Sequence, residues 1–233
     1  MLNFREWAFA ATAAVLLPVQ AWAAAPVKHI DIYVTPYYES ATKPGQQPKV
    51  AVGKGVSEML SSNNVANIVA VRDAIQANPG VVTPMTMMVL AIRLYDMGMR
   101  DDSVFWFYVA KDRYVTLREV TTPNPAMFGA IDDAMGAFVN LAGPAFNGYA
   151  FCNIPNQERT GAEALDWVEK HPYAAIFMPQ IPAKPGDRAA NLKNAIAELR
   201  AGAKKEDAYV AANLADIRHQ RQTNDMDAKY CWK

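Results

Sequence analysis

The sequence predicts a mainly α fold: a single globular multi-helix domain of packed αα-hairpins with a short N-terminal β ribbon. Three observations carry this expectation. From about Val56 onward, apolar residues recur at helical spacing. Stops such as Asn78-Pro79-Gly80, Gly98 and Gly143-Pro144 divide that pattern into separate helices. Strand character is confined to a short stretch before residue 54.

Residues 1–23 read as an export signal. A short n-region (1–7) precedes an apolar run (8–19), and Ala21-Trp22-Ala23 supplies a small-x-small cleavage site. The expected mature chain, 24–233, has 210 residues and a periplasmic or secreted address. Its opening, His29-Ile30-Asp31-Ile32-Tyr33-Val34, alternates polar and apolar residues as a half-buried strand does. Pro36, Pro44, Gly45 and Pro48 make 35–48 a loop, and 49–53 is the expected return strand. Residues 24–54 are therefore ribbon and loop, and 55–233 are helices.

Residues 64–77 form the first well-marked helix. Thr83-Pro84, a capping threonine before a proline at the first helical position, opens the next over 85–97, which is apolar nearly all round. Gly98 suits a left-handed stop. Asp101 or Asp102 is the expected cap of a helix over 103–118, and 127–141 is another before Gly143-Pro144. Residues 143–157 read as a loop. Thr160-Gly161-Ala162-Glu163 has capping-box spacing for a helix to about Lys170. Four prolines make 172–186 irregular. Asp187 caps a helix to Arg200 that Gly202 ends, and 206–222 is the last.

Composition excludes several functions. The 23 basic and 23 acidic residues cancel, so no electrostatic footprint for nucleic acid exists. No second apolar stretch reaches the length of about 18 residues needed to span a bilayer, so no integral membrane segment is expected after signal removal. Two cysteines, Cys152 and Cys231, make one disulfide in an oxidising compartment. It would pin Tyr230-Cys231-Trp232 to the middle of the chain. The chain-entropy relation gives such a loop about 4.5 kcal/mol at most.

Catalytic signatures are sparse. Ser40-Ala41-Thr42-Lys43 has the S-x-x-K spacing of penicillin-binding proteins, but Pro44-Gly45 follows at once, and S-D-N and K-T-G are missing. Gly53-Lys54-Gly55 lacks the rest of a phosphate loop. His29, His171 and His219 stand apart from one another, so no metal site and no cofactor are expected. The acidic pairs Asp101-Asp102, Asp132-Asp133 and Asp225/Asp227 could serve a glycosidase only if two carboxyls flanked a cleft. The methionines at 85, 87, 88, 97 and 99 read as gap-filling core.

One hairpin has a recognisable pattern. Ala91-x-x-Leu94-Tyr95-x-x-Gly98 followed by Ser103-x-x-Trp106-Phe107-x-x-Ala110 resembles a unit of a tetratricopeptide-type helical repeat of the short-hairpin subclass. The resemblance covers about 20 residues, and a stable array needs about three units or more. It implies close packing of two helices and, as in that superfamily, the binding of protein or peptide.

Tyr37 and Tyr38, in a loop that reads as exposed, combine large contact area with a polar tip. Beside the Arg93/Arg113 face they are the expected contact surface. The expected function is an exported, non-enzymatic protein that binds another protein or peptide through a helical surface, such as an envelope assembly factor or a toxin-immunity protein. The alternatives are a cell-wall or peptide hydrolase with a site outside known motifs, and a small-ligand binder with a pocket around Trp106 and Tyr95.

Overall fold

The computed structural model describes residues 24–39, 48–122 and 125–232. The expected signal, 1–23, and the Ser40/Lys43 pair lie outside the described residues. Nine α-helices and one two-stranded antiparallel sheet are present among those described. The fold is mainly α, as the sequence pattern predicts.

The ribbon forms, but from a different first strand. β1 (Tyr38–Glu39) pairs with β2 (Lys49–Val50), with Tyr38 opposite Val50 and Glu39 opposite Lys49. Residues 29–34 form no strand. The Ile30 amide donates to Asp96 at 2.9 Å, and the Ile32 amide turns back to the Ile30 carbonyl at 2.9 Å. Those amides are thus taken from any ladder. The alternation still governs burial: Ile30 and Val34 lie inside, and His29, Asp31 and Tyr33 outside.

α1 (Val56–Ser61) and α2 (Val65–Ala77) follow. Asn64 caps α2 by accepting from the Ala66 amide at 2.9 Å. α3 (Pro84–Asp96) begins at the expected cap, with Thr83 accepting from the Thr86 amide at 3.1 Å. Every residue of α3 from Pro84 to Tyr95 is buried. Gly98, at φ 81°, turns the chain into α4 (Arg100–Val120). That helix begins before Asp101 and Asp102, which sit in its first turn where the dipole favours them instead of capping it. Ala91, Ser103 and Ala110 are fully buried, and Leu94, Tyr95, Trp106 and Phe107 surround them in the core.

α5 (Pro125–Ala150) runs past the expected stop at Gly143-Pro144. Pro144 forgoes one helical hydrogen bond. Burial of Ala142, Ala145 and Phe146 keeps the last two turns in place, so packing overrides the local signal. The expected loop 143–157 shrinks to 151–153, because α6 (Ile154–Lys170) starts at Asn153, whose side chain accepts from the Asn156 amide at 3.2 Å. Thr160 is consequently an interior, buried residue of α6 and not its cap. The proline-rich 172–186 wraps the end of α4: Thr122 N bonds Pro182 O at 2.9 Å, and Lys184 N bonds Val120 O at 2.9 Å. Asp187 caps α7 (Arg188–Ala212), which continues through Gly202. α8 (Leu214–Thr223) and α9 (Met226–Tyr230) complete the chain.

The main core gathers α3, α4, α5 and α6 around Trp106, Tyr95, Phe138 and Phe146, with Phe107 stacked on Phe146 at 4.5 Å. A smaller cluster of Leu117, Val120, Phe128 and Ile176 seats the proline-rich segment. Cys152 and Cys231 are joined in a disulfide with Cα atoms 5.6 Å apart. No described helix is long and apolar enough to cross a membrane.

Candidate functional site

Segment 24–34 lies over the C-terminal half of α3 and leaves a cavity of about 320 Å³ beneath it. Among the described residues, one wall is Ile30 to Tyr33, another is Pro48 and Val50, and the floor is Leu60, Ile92, Arg93 and Asp96. Tyr38 of β1 also lines this space, as a buried core residue. Its position is fixed by the Val50 register and by Phe138, whose ring lies 6.4 Å from its own.

Two buried charges form the polar side. Arg93 Nη1 donates to Asp96 Oδ2 at 2.7 Å, one turn apart on α3. Arg93 also donates from Nε to the Leu60 carbonyl at 2.8 Å, and from Nη2 to Ser62 O at 3.1 Å and Asn63 Oδ1 at 2.9 Å. It thereby satisfies the end of α1, whose last carbonyls have no helical partner. Asp96 accepts the Ile30 amide on its other oxygen, with His29 Nδ1 at 3.8 Å. Burial pushes the Asp96 carboxyl above its ordinary range, against the lowering effects of the Ile30 amide and Arg93.

The Tyr38 hydroxyl is different. It is buried and has no hydrogen-bond partner among the described residues. Burial, with the Asp96 charge nearby, moves its pKa far upward, so it remains a neutral O–H. An orphaned buried hydroxyl costs about 1–3 kcal/mol.

The expected contact residues thus divide. Tyr38 and Arg93 meet in one cavity. Tyr37 is half-buried against Phe138 at 5.8 Å, near Tyr173. Arg113, fully buried, donates to Pro79 O at 2.6 Å, Val82 O at 2.9 Å and His171 O at 2.6 Å. The loop is exposed at Thr35, Pro36 and Glu39, but the exposure expected of its tyrosines and of the arginines does not hold, because Tyr38 and both guanidiniums are core groups. Trp106 and Tyr95 are also core, with Trp106 edge-on to Trp167 at 5.3 Å and the Tyr95 hydroxyl on Val27 O at 3.0 Å.

At least one residue of each acidic pair holds elements together. Asp101 accepts from Tyr149 at 3.0 Å, Asp102 from Arg72 at 2.6 Å, and Asp132 from Tyr114 at 2.7 Å. Asp227 pairs with Arg221 at 2.7 Å. Among the described residues, no three His, Cys, Asp or Glu side chains gather as a metal site. Sequence reading missed Asp96 and the wall at 30–33. Their signal was present as a lone acidic residue closing an apolar helix and as alternation without a strand partner.

The chain is 34% identical over 210 residues to an uncharacterized protein of Haemophilus influenzae, an alignment that covers 89% of this chain and 80% of that protein. No protein-family model matches the chain, and no solved structure matches it.

Proposed function

The chain belongs to the family of that Haemophilus influenzae protein, and we propose that it is an exported, periplasmic, non-enzymatic protein that binds a segment of another protein or peptide. The observation that carries this reading is the cavity beneath segment 24–34, lined by Ile30, Val50, Leu60 and Ile92 with the Arg93–Asp96 pair on its polar side. A concave, mainly apolar site with a few convergent polar groups is the usual form of a receptor pocket. The site sits beside the helical hairpin whose residues resemble a repeat unit used for peptide binding, which supports the same reading. The bound segment enters this cavity and does not spread over an open helical face. Export is supported by the leader-like residues 1–23 and by the Cys152–Cys231 disulfide, a bond that persists in oxidising compartments.

Two measurements test this. N-terminal sequencing of the periplasmic fraction should find a chain starting at Ala24, and unprocessed protein in the cytoplasm would refute the address. A photo-crosslinking residue at Tyr33, on the cavity wall, should capture one envelope protein that the same residue at the exposed Tyr209 does not. Equal capture from both positions removes the pocket from the binding role.

A further inference from the structure

We propose that a second cavity, at the start of α6, binds a neutral polyhydroxyl ring, the chemistry of a sugar. It shares no lining residue with the cavity under segment 24–34, so the two sites are tested independently. The sequence marks this site by a helix face of unexpected polarity. Asn153, Asn156, Gln157 and Thr160 follow the i, i+3, i+4, i+7 spacing of a core-facing stripe, where apolar residues are usual. Farther along α6 the same face is apolar, with Ala164 and Val168 buried. In the first two turns it is polar, yet Gln157 and Thr160 are only 8% and 5% exposed.

This stripe lies against the first turn of α4 and the last turn of α5, and encloses a cavity of about 230 Å³ with Asp101, Val104, Tyr149 and Ala150. Buried amides and hydroxyls cost free energy unless they are hydrogen-bonded. The protein meets that demand only in part. One end of the Gln157 amide donates to Tyr108 Oη at 3.3 Å. Its other end, and Thr160 Oγ1, have no partner among the described residues. The unpartnered buried side-chain atoms sealed from solvent there are Tyr38 Oη, Arg113 Nε and Arg118 Nη1. The open oxygens of Gln157 and Thr160 are not among them, so they keep surface that a ligand in the cavity can reach.

The groups on offer alternate in kind. Thr160 donates and accepts at one atom, and Gln157 offers an acceptor. Asn153 uses its Oδ1 to cap α6 and keeps its side-chain N–H groups. Asp101 accepts from Tyr149 at 3.0 Å and from Asn156 at 3.4 Å on one oxygen, and its other oxygen has no partner among the described residues. A ring bearing several hydroxyls, each both donor and acceptor, meets this mixture without bringing in a charge. An ammonium only donates, and Arg100, 4.5 Å from the centroid of the Tyr149 ring, opposes it. A carboxylate only accepts, and Asp101 opposes it.

The test titrates the methyl glycosides of glucose, galactose and mannose at pH 6.5, with NMR shifts read at the amides of 149–160 and at the Thr160 methyl. At least one should bind, and more tightly than its cationic 2-amino or anionic uronate derivative. Thr160→Val keeps the shape and removes the hydroxyl; it should weaken binding by about three- to tenfold, the worth of one neutral hydrogen bond. Its Tm should be unchanged or raised, because no protein partner is lost. Asn156→Trp, one turn before Thr160 on the same face, should fill the cavity and abolish the shifts. Tighter binding of a charged derivative, cyclohexanol binding as tightly as the sugar, or equal binding by Thr160→Val overturns the ligand class. A lowered Tm of Thr160→Val shows that the hydroxyl serves the fold and overturns its role in the site. Shifts that survive Asn156→Trp, or no shift from any glycoside, overturn the site itself.

Discussion

Arg113 is fully buried and forms no ion pair among the described residues. Its charge is carried by carbonyls at the ends of elements: Pro79 and Val82 before α3, and His171 at the C-terminal cap of α6, where the helix dipole is negative. Trp167 and Tyr173 add ring faces at 5.2 and 5.4 Å. Desolvation lowers its pKa to about 10, still well above neutrality. Arg113→Ala should cost about 3 kcal/mol in urea unfolding, since three part-buried carbonyls lose their donor at once and a fully buried side chain is removed; a cost below about 1 kcal/mol would show that the guanidinium is dispensable. Asp112 beside it on α4 behaves oppositely. Burial raises its carboxyl to about 6, with Glu206 adding to the rise and Lys111 opposing it. A raised folded pKa means that the folded state holds the proton more tightly. This contribution is complete below about pH 4 and is lost as pH rises through about 6. Asp112→Asn should therefore raise stability at pH 7.5 by up to about 3 kcal/mol and flatten the profile between pH 4 and 6. An unchanged profile would place the charge in water.

At the scale of elements, close approach decides more than propensity does. A Cβ on Gly148 would lie 2.5–2.8 Å from the Tyr230 ring, so α5 and α9 meet only because this position is glycine. Gly148→Ala should lower Tm and loosen the C-terminal helix, at a cost of about 1–3 kcal/mol for overpacking. An unaffected melt would mean that Tyr230 swings aside freely. These contacts mark where the sequence was legible. Thr83-Pro84, Gly98, Asn64 and Asp187 specify their turns and caps locally, and each stands where its chemistry predicts. Pro144 and Gly202 carry equally local stop signals, but both lie inside long helices. At Pro144 the burial of Phe146 against Phe107 outweighs one lost hydrogen bond. The strand expected at 29–34 failed because its amide partner, Asp96, lies 66 residues away on another element. The candidate site was half legible for the same reason. Tyr38 and Arg93 could be singled out as residue types, but their meeting beneath segment 24–34 is a tertiary fact.

Across the molecule, segment 24–34 and the C-terminal residues 229–232 are tied together beside the site. The Val27 amide donates to Lys229 O at 2.8 Å, and Val27 O accepts from Tyr95 at 3.0 Å and from the Trp232 indole at 3.3 Å. Arg100 lies 3.9 Å from the Trp232 ring centroid and donates to the carbonyls of Tyr230 and Trp232. The Cys152–Cys231 disulfide anchors that C-terminal segment, and through Val27 it steadies the wall at Ile30 to Tyr33. A Cys152→Ser/Cys231→Ser protein should lose about 2–4 kcal/mol. Amide exchange at Val27 should rise far more than in the centre of α3. Equal exchange across the chain would mean that the bond stabilises without holding the cavity wall.

The central claim is that the cavity under segment 24–34 receives a segment of another protein or peptide. The most direct measurement is photo-crosslinking from Ile32 on the cavity wall, with mass spectrometry of the product. One envelope partner, bonded through one segment of its chain, is the expected result. Equal capture from exposed apolar residues elsewhere, such as Leu141 or Phe177, would contradict it.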